Sequence, residues 1–183
     1  SAFKPFIYVT ALKKGYDIDS HIADEARTYP GGPGGAWTPR NYDGKYEGQI
    51  TIRDAVAYSK NAATVSLLAD VGIGSVKETV AGLGINAELP DNLSIALGSS
   101  NLTLLDLVKG FSAFANGGYR IKPLMIRKIT DGEGNVLEEN GVEKERVMSE
   151  EIAQKMNILL KCPVEYGTAK GASRIGFPVA GKT

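Results

Sequence analysis

The stretch SAFKPFIYVTALKKG, residues 1–15, poses the fold question and the chemical question together. Phe6, Ile7, Thr10 and Ala11 fall on one helical face between Lys4 and Lys14, and Gly15 supplies a stop. Pro5 fits such a helix in its first turn, where a missing N–H breaks no bond. The β-branched run FIYVT fits a strand as well. Within the helical reading, Ser1 and Lys4 share a face and can touch. Ser1 then has three readings: an arbitrary chain boundary, a nucleophile using its own α-amine, or a nucleophile served by Lys4. A hydroxyl is a weak nucleophile until a base takes its proton, and a lysine with a lowered pKa is such a base. Alone, S-x-x-K occurs by chance in many chains.

Working outward, helices dominate. Thr51 and Asp54 open IRDAVAYS, and the run Ala62 to Val71 continues as an apolar helix. Ser75 and Glu78 read as a capping box before KETVAGL, stopped by Gly84. Thr103 and Asp106 open LLDLVKGFSAFAN, and Ser149 opens the amphipathic EEIAQKMNILL. Between these last two, residues 120–139 read as a β-hairpin turning at Asp131-Gly132-Glu133-Gly134. The closing FPVAGKT reads as a strand stub over 178–183. Upstream, RTYPGGPGGAWTPRNYDGKYEGQ has no periodicity and reads as a long irregular loop, a type that often carries function. The fold class is therefore α+β, mainly helical, in one unit of 183 residues.

Composition narrows the chemistry. Lysine plus arginine and aspartate plus glutamate are 21 each, without a basic block, which argues against a nucleic-acid partner. One histidine, His21, and one cysteine, Cys162, argue against a zinc site and an internal disulfide. No apolar run is long enough to span a bilayer, and residues 1–15 do not read as a signal peptide.

Two further motifs accompany Ser1 and Lys4. Ser59-Lys60-Asn61 lies where one helix ends and the next begins, offering a proton-relaying hydroxyl and an amide that donates and accepts. Ordinary helix capping would use the same residues. Ser99-Ser100-Asn101 repeats S-x-N just before a helix start and reads as plain capping. Lys182 and Thr183, in GKT, supply a charge and a hydroxyl suited to a carboxylate. The ordered trio S-x-x-K, S-x-N, K-T is far more specific than its members, and it marks penicillin-binding proteins and class A β-lactamases.

With SAFKPF, WTPRNYDGKYEGQITIRDAVAYSKN, LSIALGSSNLTLLDLVKGFSAFANGGYRIKP and PVAGKT, the whole chain resembles the transpeptidase domain of class A, bifunctional penicillin-binding proteins. The resemblance implies the serine β-lactamase-like fold, here without most of its central antiparallel sheet. It implies that Ser1 attacks the D-Ala-D-Ala end of a peptidoglycan stem peptide, with Lys4 as base and Ser59 passing a proton to the leaving amine. Asn61 would hold the substrate amide, and Lys182 and Thr183 its carboxylate. β-Lactam antibiotics would acylate Ser1, and neither a metal nor an organic cofactor is implied. A longer parent, anchored in the cell envelope with an upstream glycosyltransferase domain, is also implied.

The resemblance leaves Trp37, Asn41 and Tyr42 to packing at the cleft rim. Two oxyanion donors of the family, the serine's own amide N–H and one just beyond the K-T motif, fall at or outside residues 1 and 183. Each such donor contributes roughly 2.7–4 kcal/mol in serine hydrolases. The isolated chain is therefore expected to acylate slowly. Alternative readings are a serine β-lactamase or penicillin-sensing domain, with Glu88 as a deacylating group or a surface residue. An N-terminal nucleophile hydrolase, which needs a strand-rich start, and an inactive structural piece complete the alternatives.

Overall fold

The structure, a computed structural model, describes residues 1–31 and 35–183. Its organising element is the helix α1, Lys4–Lys13, with Pro5 in the first turn and Gly15 at φ +93° just past the end. The expected single apolar face is corrected: every residue from Lys4 to Leu12 is buried. A helix apolar all round belongs inside a protein, and α1 is packed among its neighbours on all sides. That burial explains why the β-branched run forms a helix, since tertiary packing outweighs a weak local propensity. Ser1 lies just upstream of α1, its carbonyl accepting from Lys4 N at 3.0 Å.

The elements around α1 follow in order. Strand β1 is His21–Asp24, β2 Tyr29–Pro30, β3 Ala36–Trp37 and β4 Gly48–Thr51. Helices α2 (Ile52–Ala57), α3 (Asn61–Val71) and α4 (Ile73–Gly82) come next, then a 3₁₀ turn at Leu93–Leu97 and α5 (Leu104–Ala115). Strands β5 (Tyr119–Ile121), β6 (Lys128–Thr130), β7 (Val136–Glu139) and β8 (Lys144–Arg146) precede α6 (Glu150–Glu165) and a 3₁₀ turn at Lys170–Ile175. Antiparallel ladders join β1 to β4, with His21 opposite Thr51, and β2 to β3, with Tyr29 opposite Trp37. The loop read as irregular thus carries a short ladder, while its glycine-proline centre, 32–34, lies outside the described residues.

Caps at Thr51, Thr103 and Ser149 form as the sequence indicates, each accepting from the backbone N–H three residues on. Ser75 is a correction. Gly72, at φ +84°, ends α3 and starts α4 directly, so Ser75 sits inside the helix and caps nothing. The single hairpin over 120–139 is also corrected, to two nested ladders: β5 with β8 outside, β6 with β7 inside. Pro123, which cannot donate to a ladder, falls in the break between β5 and β6. The turn at Asp131 forms as read, its carboxylate accepting from Glu133 N and Asn135 N. Residues 178–183 form no strand: with no strand partner, their backbone is tied by Gly181 N to Leu160 O at 2.8 Å.

Phe6 marks the core centre, fully buried and edge-on to Phe3 at 5.5 Å and Phe111 at 6.1 Å between ring centroids. Burying a side chain of this size contributes roughly 1.5–3 kcal/mol. Helix α5 reaches it at Gly110, where an added Cβ would lie 2.5 Å from Phe6 Cε1. The whole is a mainly helical α+β body, and every described sheet is two-stranded.

Candidate active site

The first turn of the chain meets the α2–α3 junction. Ser1 Oγ lies 3.2 Å from Ser59 Oγ. Ser59 adopts φ +56°, alone among the described residues other than glycine in having a positive φ. Such a backbone costs on the order of 1–3 kcal/mol and persists only where its surroundings hold it. Lys4, 1% exposed, supplies one restraint by donating to Ser59 O at 2.7 Å. It also reaches Asn61 Oδ1 at 2.7 Å and Ser59 Oγ at 3.3 Å. No hydrogen bond joins Lys4 to Ser1 Oγ, so Ser59 stands between nucleophile and amine.

These contacts set which groups can donate to and accept from one another. Burial, and then the charge of Lys182, lower the Lys4 pKa to about 7, so a large fraction is the free amine at neutral pH. A neutral amine has two N–H bonds and one lone pair. Ser59 O and Asn61 Oδ1 can only accept, so they take the two N–H bonds and the lone pair faces Ser59 Oγ. Asn61 cannot reverse this by turning over, because its Nδ2 donates to Arg40 O at 2.9 Å. Ser59 is then free to give its proton to Lys4 and take that of Ser1. Lys60, the middle residue of the motif, turns elsewhere, pairing with Glu47 at 2.5 Å and Asp43 at 3.2 Å.

The third motif joins the same site. Lys182 sits near enough to depress the pKa of Lys4, which burial lowers first. Its own pKa is lowered by burial to about 8, and a substrate carboxylate would offset that cost. Thr183 Oγ1 bonds Thr168 Oγ1 at 2.6 Å, and Thr168 N donates to Ala57 O, anchoring the segment to α2. All six residues singled out from the sequence, Ser1, Lys4, Ser59, Asn61, Lys182 and Thr183, therefore belong to one neighbourhood.

Trp37 and Tyr42 line cavities beside the site, as the rim reading expected, and sequence reasoning missed the rest of the walls. Gly98, at φ +84°, would place a Cβ 3.1 Å from Ser1 N, so a side chain there would crowd the nucleophile. With Trp37, Leu93, Leu97 and Ser99 it lines a groove of about 680 Å³. A second cavity of about 440 Å³, lined by Tyr42, Asp43, Glu47, Tyr58 and Thr168, borders Ser59. The expected capping by Ser99 and Ser100 is corrected, since Thr103 caps α5 and Ser99 Oγ bonds Ser94 Oγ instead. Asn41, assigned to rim packing, is 5% exposed and bonds the α3 N-terminus. No signal in the sequence links residue 41 to residue 61. Glu88 is exposed, as its surface reading holds. The start is helical, which removes the strand-rich opening that an N-terminal nucleophile hydrolase requires.

Comparison with known proteins gives a consistent picture. The family model described as "penicillin binding protein transpeptidase domain" matches residues 1–183. The chain is 39% identical over 192 residues to penicillin-binding protein 1A of Neisseria lactamica, covering all of this chain and 24% of that protein. It is 41% identical over 184 residues to penicillin-binding protein 1A of Aquifex aeolicus, covering all of this chain and 25% of that one. It thus spans about a quarter of the length of these relatives. In fold it resembles the crystal structure of Haemophilus influenzae penicillin-binding protein 1A, at TM-score 0.89 and 23% identity, over 95% of this chain and 32% of that chain. The imipenem acyl-enzyme of penicillin-binding protein A from M. tuberculosis matches at TM-score 0.84 and 21% identity, over 98% and 46%.

Proposed function

The chain belongs to the penicillin-binding protein transpeptidase domain family, and on that premise we propose that it cross-links peptidoglycan stem peptides through an acyl-enzyme on Ser1. The observation that carries this reading is the contact series from Ser1 Oγ to Ser59 Oγ to Lys4 Nζ. Ser1 Oγ bonds the carbonyl carbon of the penultimate D-alanine while its proton passes to Ser59 and the Ser59 proton to neutral Lys4. The C–N bond then breaks, and terminal D-alanine leaves with the proton returned through Ser59. An acceptor amine attacks the ester next. Its proton follows the same route to Lys4, and Ser1 Oγ departs and is reprotonated. This reading routes the Ser1 proton through Ser59, because Lys4 faces Ser59 and not Ser1.

Substrate contacts follow from what the site leaves free. Asn61 Nδ2 spends one N–H on Arg40 and keeps the other for a substrate carbonyl. Lys182 and Thr183 suit a carboxylate, by charge and by a hydroxyl that here bonds Thr168 Oγ1. A β-lactam, carrying a carboxylate beside a strained amide, would acylate Ser1 by the same steps. Relatives four times as long support a place within a larger envelope enzyme, membrane-anchored and with a glycosyltransferase domain. No described helix is itself long and apolar enough to cross a membrane.

Labelling the full-length protein with a fluorescent penicillin tests the proposal. A long-lived adduct that Ser1→Ala abolishes is expected. Undiminished labelling of that variant would refute it, and rapid release of the label would favour a β-lactamase.

A further inference from the structure

Asn41 and Asp24 form a buried pair outside the three motifs, and Asn41 reaches the α2–α3 junction. Asn41 Oδ1 accepts from Asn61 N at 2.7 Å and from Ala62 N at 3.1 Å. Helix α3 has no cap of its own, because Lys60 at its N-cap position offers no acceptor. Asn41 thus caps α3 from 20 residues away in sequence. Its amide cannot turn over: Nδ2 donates to Asp24 Oδ1 at 2.7 Å, Asp24 Oδ2 at 3.0 Å and Lys45 O at 2.8 Å, all of them pure acceptors. Asp24 is fully buried on β1 and also accepts from Glu47 N at 3.0 Å.

The same loop grips the motif at successive residues. Arg40 O takes the Asn61 side chain, Asn41 takes the Asn61 backbone, and Asp43 and Glu47 take Lys60. Ser59, next in line, holds its unfavourable φ of +56° with its carbonyl taken by Lys4 and its N–H donating to Val56 O at 3.3 Å. Plain helix capping would need only one acceptor at residue 41. It would not need a buried carboxylate to dictate which end of the amide faces α3.

We propose that Asn41, oriented by Asp24, is the positioning residue that keeps Ser59 and Asn61 in register with Ser1 and Lys4 for acylation. Displacing Asn61 by rotation of the junction would free the Lys4 N–H bonds and misdirect its lone pair, while Lys4 stays on α1 and Ser1 just upstream of it. The inference rests on the acylation proposed above.

The test is a swap cycle in the full-length protein: Asn41→Asp, Asp24→Asn and the two together, with Asn41→Ala beside them. Rates of penicillin acylation are measured per folded molecule, with folding checked by circular dichroism. Asn41→Ala and Asn41→Asp are each expected to slow acylation at least about tenfold. The pair Asn41→Asp with Asp24→Asn restores a donor at 24 facing an acceptor at 41, leaves Lys45 O without its donor, and is expected to recover part of that loss. Wild-type rates in folded single variants would overturn the proposal and leave Asn41 a structural cap. If Asn41→Ala does not fold, the comparison of Asn41→Asp with the swap decides, and a folded swap as slow as Asn41→Asp overturns it. Unlabelled wild type would instead sink the acyl-enzyme reading, so the two failures are distinguishable.

Discussion

In the proposed reaction Lys4 carries the acid–base chemistry, on a side chain that the core almost encloses, and this sets the pH response to expect. Below about pH 7 the amine is protonated and donates to Ser59 O, Asn61 Oδ1 and Ser59 Oγ, with no lone pair left. The β-lactam acylation rate is therefore expected to fall about tenfold per pH unit below that point and to level off above it. A flat profile from about pH 5 to about pH 9 would remove Lys4 from the proton path. Stability is linked to the same group. The folded pKa, about 7, lies below the ordinary 10.5, so the unfolded chain binds more protons between the two values. The Lys4 contribution thus worsens as pH falls from 10.5 to about 7 and is constant at lower pH. Lys182→Gln removes one cause of the depression, so the acid limb of the rate profile should move to higher pH as carboxylate affinity weakens. A limb that stays in place would separate Lys182 from Lys4.

Residues of this kind were legible because their order along the chain is distinctive. Their wiring was not. Spacing puts Ser1 and Lys4 on one face, yet the ammonium turns to Ser59 because a backbone carbonyl at φ +56° waits there. Asn41 was singled out only for the cleft rim, and its pairing with Asp24 was invisible, since a buried carboxylate and an amide 17 residues apart leave no periodic trace.

Among the elements, the capping reading held at Thr51, Thr103 and Ser149, which follow a strand or a loop, and failed at Ser75, which follows a helix. Thr103 follows a loop and forms a full capping box with Asp106, whereas Ser75 follows a helix joined directly at Gly72. Thr103→Ala should therefore cost about 1 kcal/mol in denaturant unfolding, and Ser75→Ala less than about 0.5 kcal/mol. Equal losses would mean that the α3–α4 junction is misread. At the α1–α5 crossing, Gly110→Ala forces a methyl group to 2.5 Å from the Phe6 ring. A destabilisation of about 1–3 kcal/mol is expected, seen as a lower Tm. An unchanged Tm would show that the crossing is looser than the ring contacts imply. The apparent amphipathicity of α1 misled for a related reason: its polar positions, Lys4 and Thr10, are satisfied by the site and by Phe6 O, not by water.

Across the whole molecule, the site is assembled by helices converging on α1, while β5–β8 project as nested ladders whose inner strands are exposed. Met125 and Leu137, 98% and 65% exposed, leave this projection with little core of its own. The fold class was legible because α2, α5 and α6 carry readable caps. The pairing of β5 with β8 was not, because their three-residue runs read as flanks of the inner turn. With relatives four times as long, residues 1–183 alone are expected to label with penicillin more slowly than the full-length protein. Equal rates would show that the catalytic donors all lie within this chain.

The central claim is that Ser1 forms the acyl-enzyme with Ser59 carrying its proton. The most direct measurement is peptide-level mass spectrometry of the full-length protein after brief exposure to penicillin, wild type beside Ser59→Ala. The predicted result is a penicilloyl adduct on the peptide holding Ser1 in wild type, formed at least about a hundredfold more slowly in Ser59→Ala. An adduct on any other residue, or one on Ser1 that forms equally fast without the Ser59 hydroxyl, would contradict it.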